Sequence, residues 1–222
     1  MPELITDGDF ENPGFAGSWT LLDNYGSWSG NNFEIGNENL YFSGGSGSNR
    51  VVELDGVNSE ITVLEQSFTV ANDNQDAELS FDFGARNTSG GAPEPTLVEV
   101  LDASNTVIFT QVVTPTSSGS FDNFVFNFEF GLAGTYRLRF TEQGPNNSVG
   151  NILDNVSLMV CFASHTKIAT PHGERNVEDL AAGDLVTIAG GGVQPIQWIG
   201  SRKLTQSDLQ RIPKLNPIMI RA

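Results

Sequence analysis

The sequence predicts an all-β protein whose larger part, residues 1–160, is an antiparallel β-sandwich. Apolar stretches in this part are short and alternate with polar residues, which is the period-two pattern of half-buried strands. Gly, Asn, Asp and Ser separate these stretches, which is typical of sandwiches with many short strands. The apolar fraction of 38%, with 15 phenylalanines, is sufficient for a β-type core and excludes a wholly disordered chain.

The strand pattern is clearest at residues 121–130, where four phenylalanines alternate with polar or smaller side chains. Turn signals rich in Gly and Ser lie earlier in the chain, at 43–48, 89–91 and 117–119. The predicted strands are 51–54, 61–70, 77–83, 96–101, 107–113, 121–130, 134–141 and 151–160.

Composition changes near residue 160. Residues 1–160 contain 22 acids against four arginines and no lysine, a net charge of −18, whereas residues 161–222 contain five acids and seven basic residues, a net of +2. The split predicts two domains, 1–160 and 161–222. An acidic module without lysine is not expected to bind nucleic acid by neutralising phosphates. Its composition favours surroundings rich in calcium or salt.

Residues 161–222 have a different pattern, of short strands joined by tight turns. Strands are predicted at 166–170, 185–188 and 196–199, a one-turn helix or bend at 177–180, and a second helical turn at 207–210. No stretch approaches the ~20 apolar residues of a membrane helix. The first residues lack the basic and apolar regions of a Sec-type signal peptide, so none is expected.

The single cysteine, Cys161, lies at the predicted boundary, and a lone thiol there is a candidate nucleophile. The stretch that it opens, residues 161–186, reads CFASHTKIATPHGERNVEDLAAGDLV, and residues 195–202 read PIQWIGSR. This sequence resembles the opening of a bacterial Hint domain, the self-processing fold of hedgehog proteins and inteins. The resemblance implies that Cys161 attacks the carbonyl of Val160. The Val160–Cys161 bond would then be cleaved through an N-to-S acyl shift and a thioester.

Two positions depart from the Hint pattern. His165 stands where the family usually has glycine, and the downstream Thr-x-x-His block that activates the scissile amide is not found before residue 222. The other histidine, His172, is expected in a surface turn. We therefore expect the N-terminal half of a Hint domain, inactive in this chain, from a longer parent that cleaves itself. Cleavage, ligation and splicing stay open, and no enzyme acting on a separate substrate is predicted.

The two ends of the first part resemble a second family. Residues 7–13, DGDFENP, and residues 153–158, LDNVSL, resemble the first and last strands of jelly-roll carbohydrate-binding modules. The resemblance implies a jelly roll with a structural Ca²⁺ held by Glu11 and Asp154, with Asp9 as a further ligand. Oxygen ligands of this kind suit calcium. The alternative is that these acids are turn formers or solvated surface groups.

Aromatic residues crowd the first quarter of the chain, among many asparagines. Tyr25 and Trp28 are candidates for a sugar-binding platform, which needs exposed aromatic faces. The alternative is that they anchor the core under a long loop. The resulting functional hypothesis is a secreted or cell-surface module processed by a Hint domain. Alternatives are a calcium-stabilised module that binds a glycan or cell-surface polymer, with an inert Hint remnant, and a purely structural matrix protein.

Overall fold

The computed structural model describes residues 3–12, 14, 17–57, 60–145, 147–160, 166–188 and 191–199. The chain divides into two compact units, Met1–Ala163 and Ser164–Ala222. The described residues form β-strands and two short 3₁₀ turns, and they include no α-helix. No helix long and apolar enough to cross a membrane occurs in these ranges. The all-β prediction is confirmed.

The described residues of the first unit form ten strands. They are β1 (Trp19–Tyr25), β2 (Trp28–Asn37), β3 (Arg50–Leu54), β4 (Val63–Val70), β5 (Gln75–Ala85), β6 (Thr96–Asp102), β7 (Val107–Val113), β8 (Asp122–Phe130), β9 (Gly134–Glu142) and β10 (Asn151–Val160). All strand pairs are antiparallel, in the order β7–β6–β9–β4–β2–β3–β10–β5–β8, with β1 paired to β2.

Strand β2 belongs to both layers of the sandwich. Its residues 29–31 pair with β4, whereas its residues 34–37 pair with β3. Between these pairings Asn32 has a φ of 49°, a left-handed conformation that asparagine tolerates better than most residues. The strand can therefore leave one layer and enter the other, as corner strands of sandwiches do. The predicted antiparallel jelly-roll sandwich is confirmed.

The core between the layers is rich in aromatic rings. Phe81 of β5 is fully buried, and its ring centroid lies 5.2 Å from that of Phe140 on β9, in the other layer. The same ring lies 5.5 Å from Phe124 and 6.1 Å from Phe126, both on β8. Such ring pairs add to the stabilisation that comes from burial. Phe81 therefore joins β5, β8 and β9.

The eight strands predicted for this unit are all present, with ends within two residues of the prediction. Strands β1 and β2 were not predicted. Their sequences, WTLLDNY and WSGNNFEIGN, are rich in Asn, Asp and Gly, which are depleted in strands. Packing of the few large side chains in them overrides this weak local preference.

The described residues of the second unit, 166–188 and 191–199, form two hairpins. The strands are β11 (Lys167–Thr170), β12 (Gly173–Asn176), β13 (Leu185–Thr187) and β14 (Val193–Pro195). A 3₁₀ turn at Val177–Asp179 confirms the predicted one-turn helix or bend. The strand predicted at 196–199 is wrong, because the partner of β13 lies earlier, at Val193–Pro195. The helical turn predicted at 207–210 lies outside the described residues.

Replacing Phe81 with alanine should lower the free energy of unfolding by about 3–5 kcal/mol, because the cavity would open between two layers. Val125→Ala on β8 is the control: this side chain is 48% exposed, so its loss should cost less than about 0.5 kcal/mol. Urea unfolding of the two variants and the parent measures both values. Equal costs would contradict the core described here.

Candidate functional site

The last strand of the sandwich leads directly to the predicted scissile bond. Val160 is the final residue of β10 and pairs with Ala77 of β5. Its side chain is 2% exposed and belongs to the main core. The sandwich therefore holds the acyl side of the Val160–Cys161 bond. Cys161 and His165 themselves lie outside the described residues.

The turn between β11 and β12 contains the second histidine of the chain. His172 is exposed, and its backbone N–H donates to Thr170 Oγ1 at 3.2 Å. The Thr170 hydroxyl in turn donates to the Gly173 carbonyl at 2.6 Å, and Gly173 has a φ of 105°, which favours glycine. His172 is therefore a surface turn residue, as predicted.

Arg175 makes contacts that close a turn of the second unit. Its guanidinium lies 3.0 Å from Asp184 Oδ2 and also donates to the Asp179 carbonyl. The same Asp184 oxygen accepts from the backbone N–H of Ala181 at 3.0 Å. These contacts close the turn between the 3₁₀ segment and β13. The Asp184 carboxylate and the Asp179 carbonyl therefore both have structural partners here.

Asp154 is the buried member of the predicted calcium site. It lies in β10 and is 1% exposed. Its Oδ2 accepts from Asn49 Nδ2 at 2.9 Å and its Oδ1 from the Asn155 backbone N–H at 2.7 Å. Burial raises the pKa of Asp154 to about 7, and the negative charges of Asp82 and Glu11 also raise it. A cation would favour the ionised form of this carboxylate.

Glu11 lies near Asp154, at the start of β3. Its Oε1 accepts from the Arg50 backbone N–H at 2.9 Å, next to Asn49, which contacts Asp154. Asp9 is exposed, and its Oδ1 accepts from the Glu11 backbone N–H at 3.4 Å, so it stabilises the local turn. Within the described ranges no three His, Cys, Asp or Glu side chains form a ready metal cluster. Carboxylate oxygens are ligands that suit calcium chemically.

Tyr25 and Trp28 do not form a sugar platform, so this expectation is corrected. Trp28 is 1% exposed, its ring centroid lies 5.3 Å from that of Phe10, and its Nε1 donates to the Asp7 carbonyl at 2.9 Å. Tyr25 is 4% exposed, and its hydroxyl donates to the Phe10 carbonyl at 3.1 Å. Both residues anchor the N-terminal segment to the core, which is the alternative that the sequence also allowed.

Among the described residues of this region, Trp19 on β1 is an exposed aromatic, with 52% exposure. In the sequence this residue is one of several aromatic residues in the first quarter of the chain, and it was not selected as a candidate. No sequence signal identifies it, because Trp19 and Leu21 are exposed whereas Thr20 and Leu22 are half-buried, so apolar character does not follow burial along β1.

Comparison with known families supports the assignment of the C-terminal segment. The family model described as "Hint domain" matches residues 160–222, so the match includes both residues of the predicted scissile bond. This segment carries the sequence of a Hint domain, and the resemblance seen in the sequence is confirmed. No curated protein sequence matches the chain.

Solved structures similar to the chain include a cyclase and carbohydrate-binding modules. A Stig cyclase, Fisc from Fischerella sp. TAU, solved in complex with (3Z)-3-(1-methyl-2-pyrrolidinylidene)-3H-indole, has 17% identity and a TM-score of 0.55, covering 72% of this chain and 98% of its own. TmCBM61, in complex with β-1,4-galactotriose, has 16% identity and a TM-score of 0.45, covering 72% and 99%. The CBM22-1 xylan-binding domain of Paenibacillus barcinonensis Xyn10C has 15% identity and a TM-score of 0.41, covering 71% and 94%. The first comparison establishes a shared fold.

Proposed function

We propose that the chain is a secreted or cell-surface β-sandwich module joined to a Hint segment, in which the Cys161 thiol attacks the Val160–Cys161 bond. The observation that carries the proposal is the Hint match, which starts at Val160, the last residue of β10. The nucleophile is thus adjacent to a carbonyl that a rigid strand positions. The acidic composition of the first unit supports the extracellular location.

The proposed step is an N-to-S acyl shift. The Cys161 sulfur, as thiolate, attacks the carbonyl carbon of Val160; a C–S bond forms, the C–N bond breaks, and the nitrogen takes up a proton. The product is a thioester between Val160 and the Cys161 side chain, with a free α-amine on Cys161. Proximity within one residue makes the attack intramolecular. A second nucleophile, such as water, then accepts the acyl group and restores the thiol.

The leaving nitrogen must take up a proton for the C–N bond to break. His165 and His172 are the two histidines of the sequence, and His172 is exposed in its own hairpin turn. We propose that a strong added nucleophile drives cleavage, because it removes the acyl group from the thioester.

Hydroxylamine should release residues 1–160 as the Val160 hydroxamate, whereas the same chain in buffer alone should keep its full mass. Intact-mass spectrometry over several days, under reducing conditions, measures both. Cys161→Ala should give no product, because the sulfur is absent, and it should keep the thermal midpoint of the parent.

A parent chain that stays whole in hydroxylamine would overturn the cleavage proposal for this protein. The function would then belong to the sandwich. Cleavage of the Cys161→Ala variant at the same rate would show instead that hydroxylamine attacks this amide without a thioester.

The sandwich is also proposed to bind a structural calcium ion through Glu11 and Asp154, with Asp9 adding negative charge nearby. Support comes from the burial of Asp154, from its amide partners, and from the charge that Glu11 places next to it. Calcium would stabilise the ionised carboxylates and tie the N-terminal segment to β10. Backbone oxygens would complete the six to eight ligands that calcium prefers.

Calcium should raise the thermal midpoint of the chain, and EDTA should lower it. The expected gain in free energy of unfolding is about 3 kcal/mol when calcium exceeds its dissociation constant ~100-fold. Asp154→Asn and Glu11→Gln should each reduce this gain, since each removes a ligand charge. Glu129→Gln, which changes an exposed acid on β8, should leave the gain unchanged. An equal gain in the parent and all three variants would contradict this site.

A second candidate function is binding of a glycan or cell-surface polymer by the sandwich, with an inert Hint segment. The observation that favours it is Trp19, whose exposed ring could stack on a sugar face. The prediction is that a polysaccharide such as xylan or β-1,4-galactan retards the chain in an affinity gel, and that Trp19→Ala abolishes the retardation. Trp198→Ala, which removes a 71% exposed ring from the other unit, is the matched control. Retardation that survives Trp19→Ala would reject this binding surface.

A further inference from the structure

Strand β7 is an open edge of the sandwich. It stands at the end of the strand order and pairs with β6 on one side, and within the described residues no strand pairs with its other side. The Val112 carbonyl accepts from Gln111 Nε2 of the same strand at 3.0 Å, which indicates that this carbonyl faces away from β6. Because backbone groups alternate in direction along an antiparallel strand, those of Thr110 face the same open side. An edge of this kind is a template for a further strand.

Strand β7 also differs from its neighbours in charge. Its sequence, VIFTQVV, contains no Asp, Glu, Lys or Arg, whereas each of the other nine strands described in the first unit contains at least one. Proteins usually protect an edge strand with charged side chains, proline or a bulge. Strand β8, at the other end of the strand order, has Asp122 and Glu129. Strand β7 instead exposes apolar side chains, among them Val112, which is 49% exposed.

The regular part of this edge is five residues long. The register with β6 shifts at Ile108, a bulge that bends the start of the strand and leaves 109–113 regular. Packing on the core holds this part at both ends: the Phe109 ring stacks on that of Phe128, with centroids 4.8 Å apart, and Val113 is buried. The edge is therefore extended before a partner arrives, so pairing costs little ordering entropy.

We propose that residues 109–113 of β7 pair with the same residues of a second copy of this chain, antiparallel and about a two-fold axis at Gln111. Thr110 then lies opposite the partner's Val112, and Val112 opposite the partner's Thr110. These are the residues whose backbone N–H and C=O groups face the open side, so each pair exchanges its N–H···O=C bonds. The Gln111 amide leaves the Val112 carbonyl and lies beside the partner's Gln111.

Charge is the reason for a second copy as the occupant. The sequence of the sandwich carries a net charge of −18, so two copies repel each other unless the surfaces that meet are uncharged. The nearest acid of β6 on this face is Glu99, opposite Thr110, and on its other side Glu99 lies opposite Arg139 of β9. A basic partner would be attracted to the acidic surfaces rather than to this uncharged edge. The edge is complementary to itself, because Thr110 and Val112 exchange places across the axis.

The same symmetry limits the assembly to two chains. Pairing of identical edges uses β7 in both copies and leaves no second β7 edge for a third copy. The acids on β8 oppose the same kind of pairing at the other end of the strand order. Since the contact is a single short strand pair, we expect a weak dimer that dissociates on dilution.

Sedimentation velocity of the full chain over the micromolar range should show a monomer that becomes a dimer as concentration rises. Reducing conditions prevent a disulfide between the Cys161 thiols of two copies. Val112→Glu should raise the dissociation constant about tenfold or more, because it brings like charges together across the axis. Val125→Glu is the matched control, since it makes the same change at a valine of similar exposure on β8, and it should leave the dissociation constant unchanged.

Hydrogen exchange identifies the edge directly. The amides of Thr110 and Val112 should exchange more slowly as concentration rises, because pairing removes them from water. Protection that does not change with concentration would show that another segment of the same chain covers β7, and would overturn the proposal.

A parent chain that stays monomeric throughout would also overturn it, and so would a dimer that Val125→Glu dissociates and Val112→Glu does not. Both variants should keep the thermal midpoint of the parent. If Val112→Glu lowers the midpoint, Thr110→Lys, an exposed position of the same edge, replaces it, with Val125→Lys as control.

Discussion

Strand β10 is the element on which the rest of the molecule depends. It pairs with β3 on one side and with β5 on the other, so it lies inside its layer. Its first residue, Asn151, binds the Glu94 backbone, its middle residue Asp154 faces Asn49, and its last residue, Val160, precedes the cysteine. The proposed cleavage site and the proposed calcium site at Glu11 and Asp154 are therefore both connected to this strand.

A bulge in β10 explains how the N-terminal segment docks on it. The register with β5 shifts between Asp154 and Ser157, and Asn155 has a φ of 50°. The Val156 N–H then turns away from the ladder and donates to the Gly8 carbonyl at 2.8 Å. Any side chain at Gly8 would place its Cβ 1.8 Å from the Val156 carbonyl oxygen. The glycine in the motif at residues 7–13 is required by this close approach, and the approach brings Glu11 towards Asp154.

The sequence predicted the parts of the fold in which local pattern and packing agree. The alternating phenylalanines of β8 all face inward, as period two requires. Tyr25 and Trp28 were misassigned because aromatic composition does not tell whether a ring is exposed, and the answer depends on β1 and β2, whose Asn and Gly content conceals them. The acids Asp55, Glu94 and Glu142 were not identified at all. Acidic residues in loops are usually solvated, and only the tertiary fold buries these three.

The distribution of charge links the composition to the proposed calcium site. The described residues include five buried carboxylates: Glu53, Asp55, Glu94, Glu142 and Asp154. Glu53 is paired with Arg86, whereas Arg137 and Arg139 both lie against Glu65, at the surface of the sheet. With four arginines and no lysine in residues 1–160, the chain supplies few cations of its own. Ionised carboxylates are costly to bury without a positive partner, so the other four favour either a proton or a cation from outside. At Asp154 calcium would supply that charge, and the proposed extracellular location, where calcium is abundant, would meet the same physical requirement.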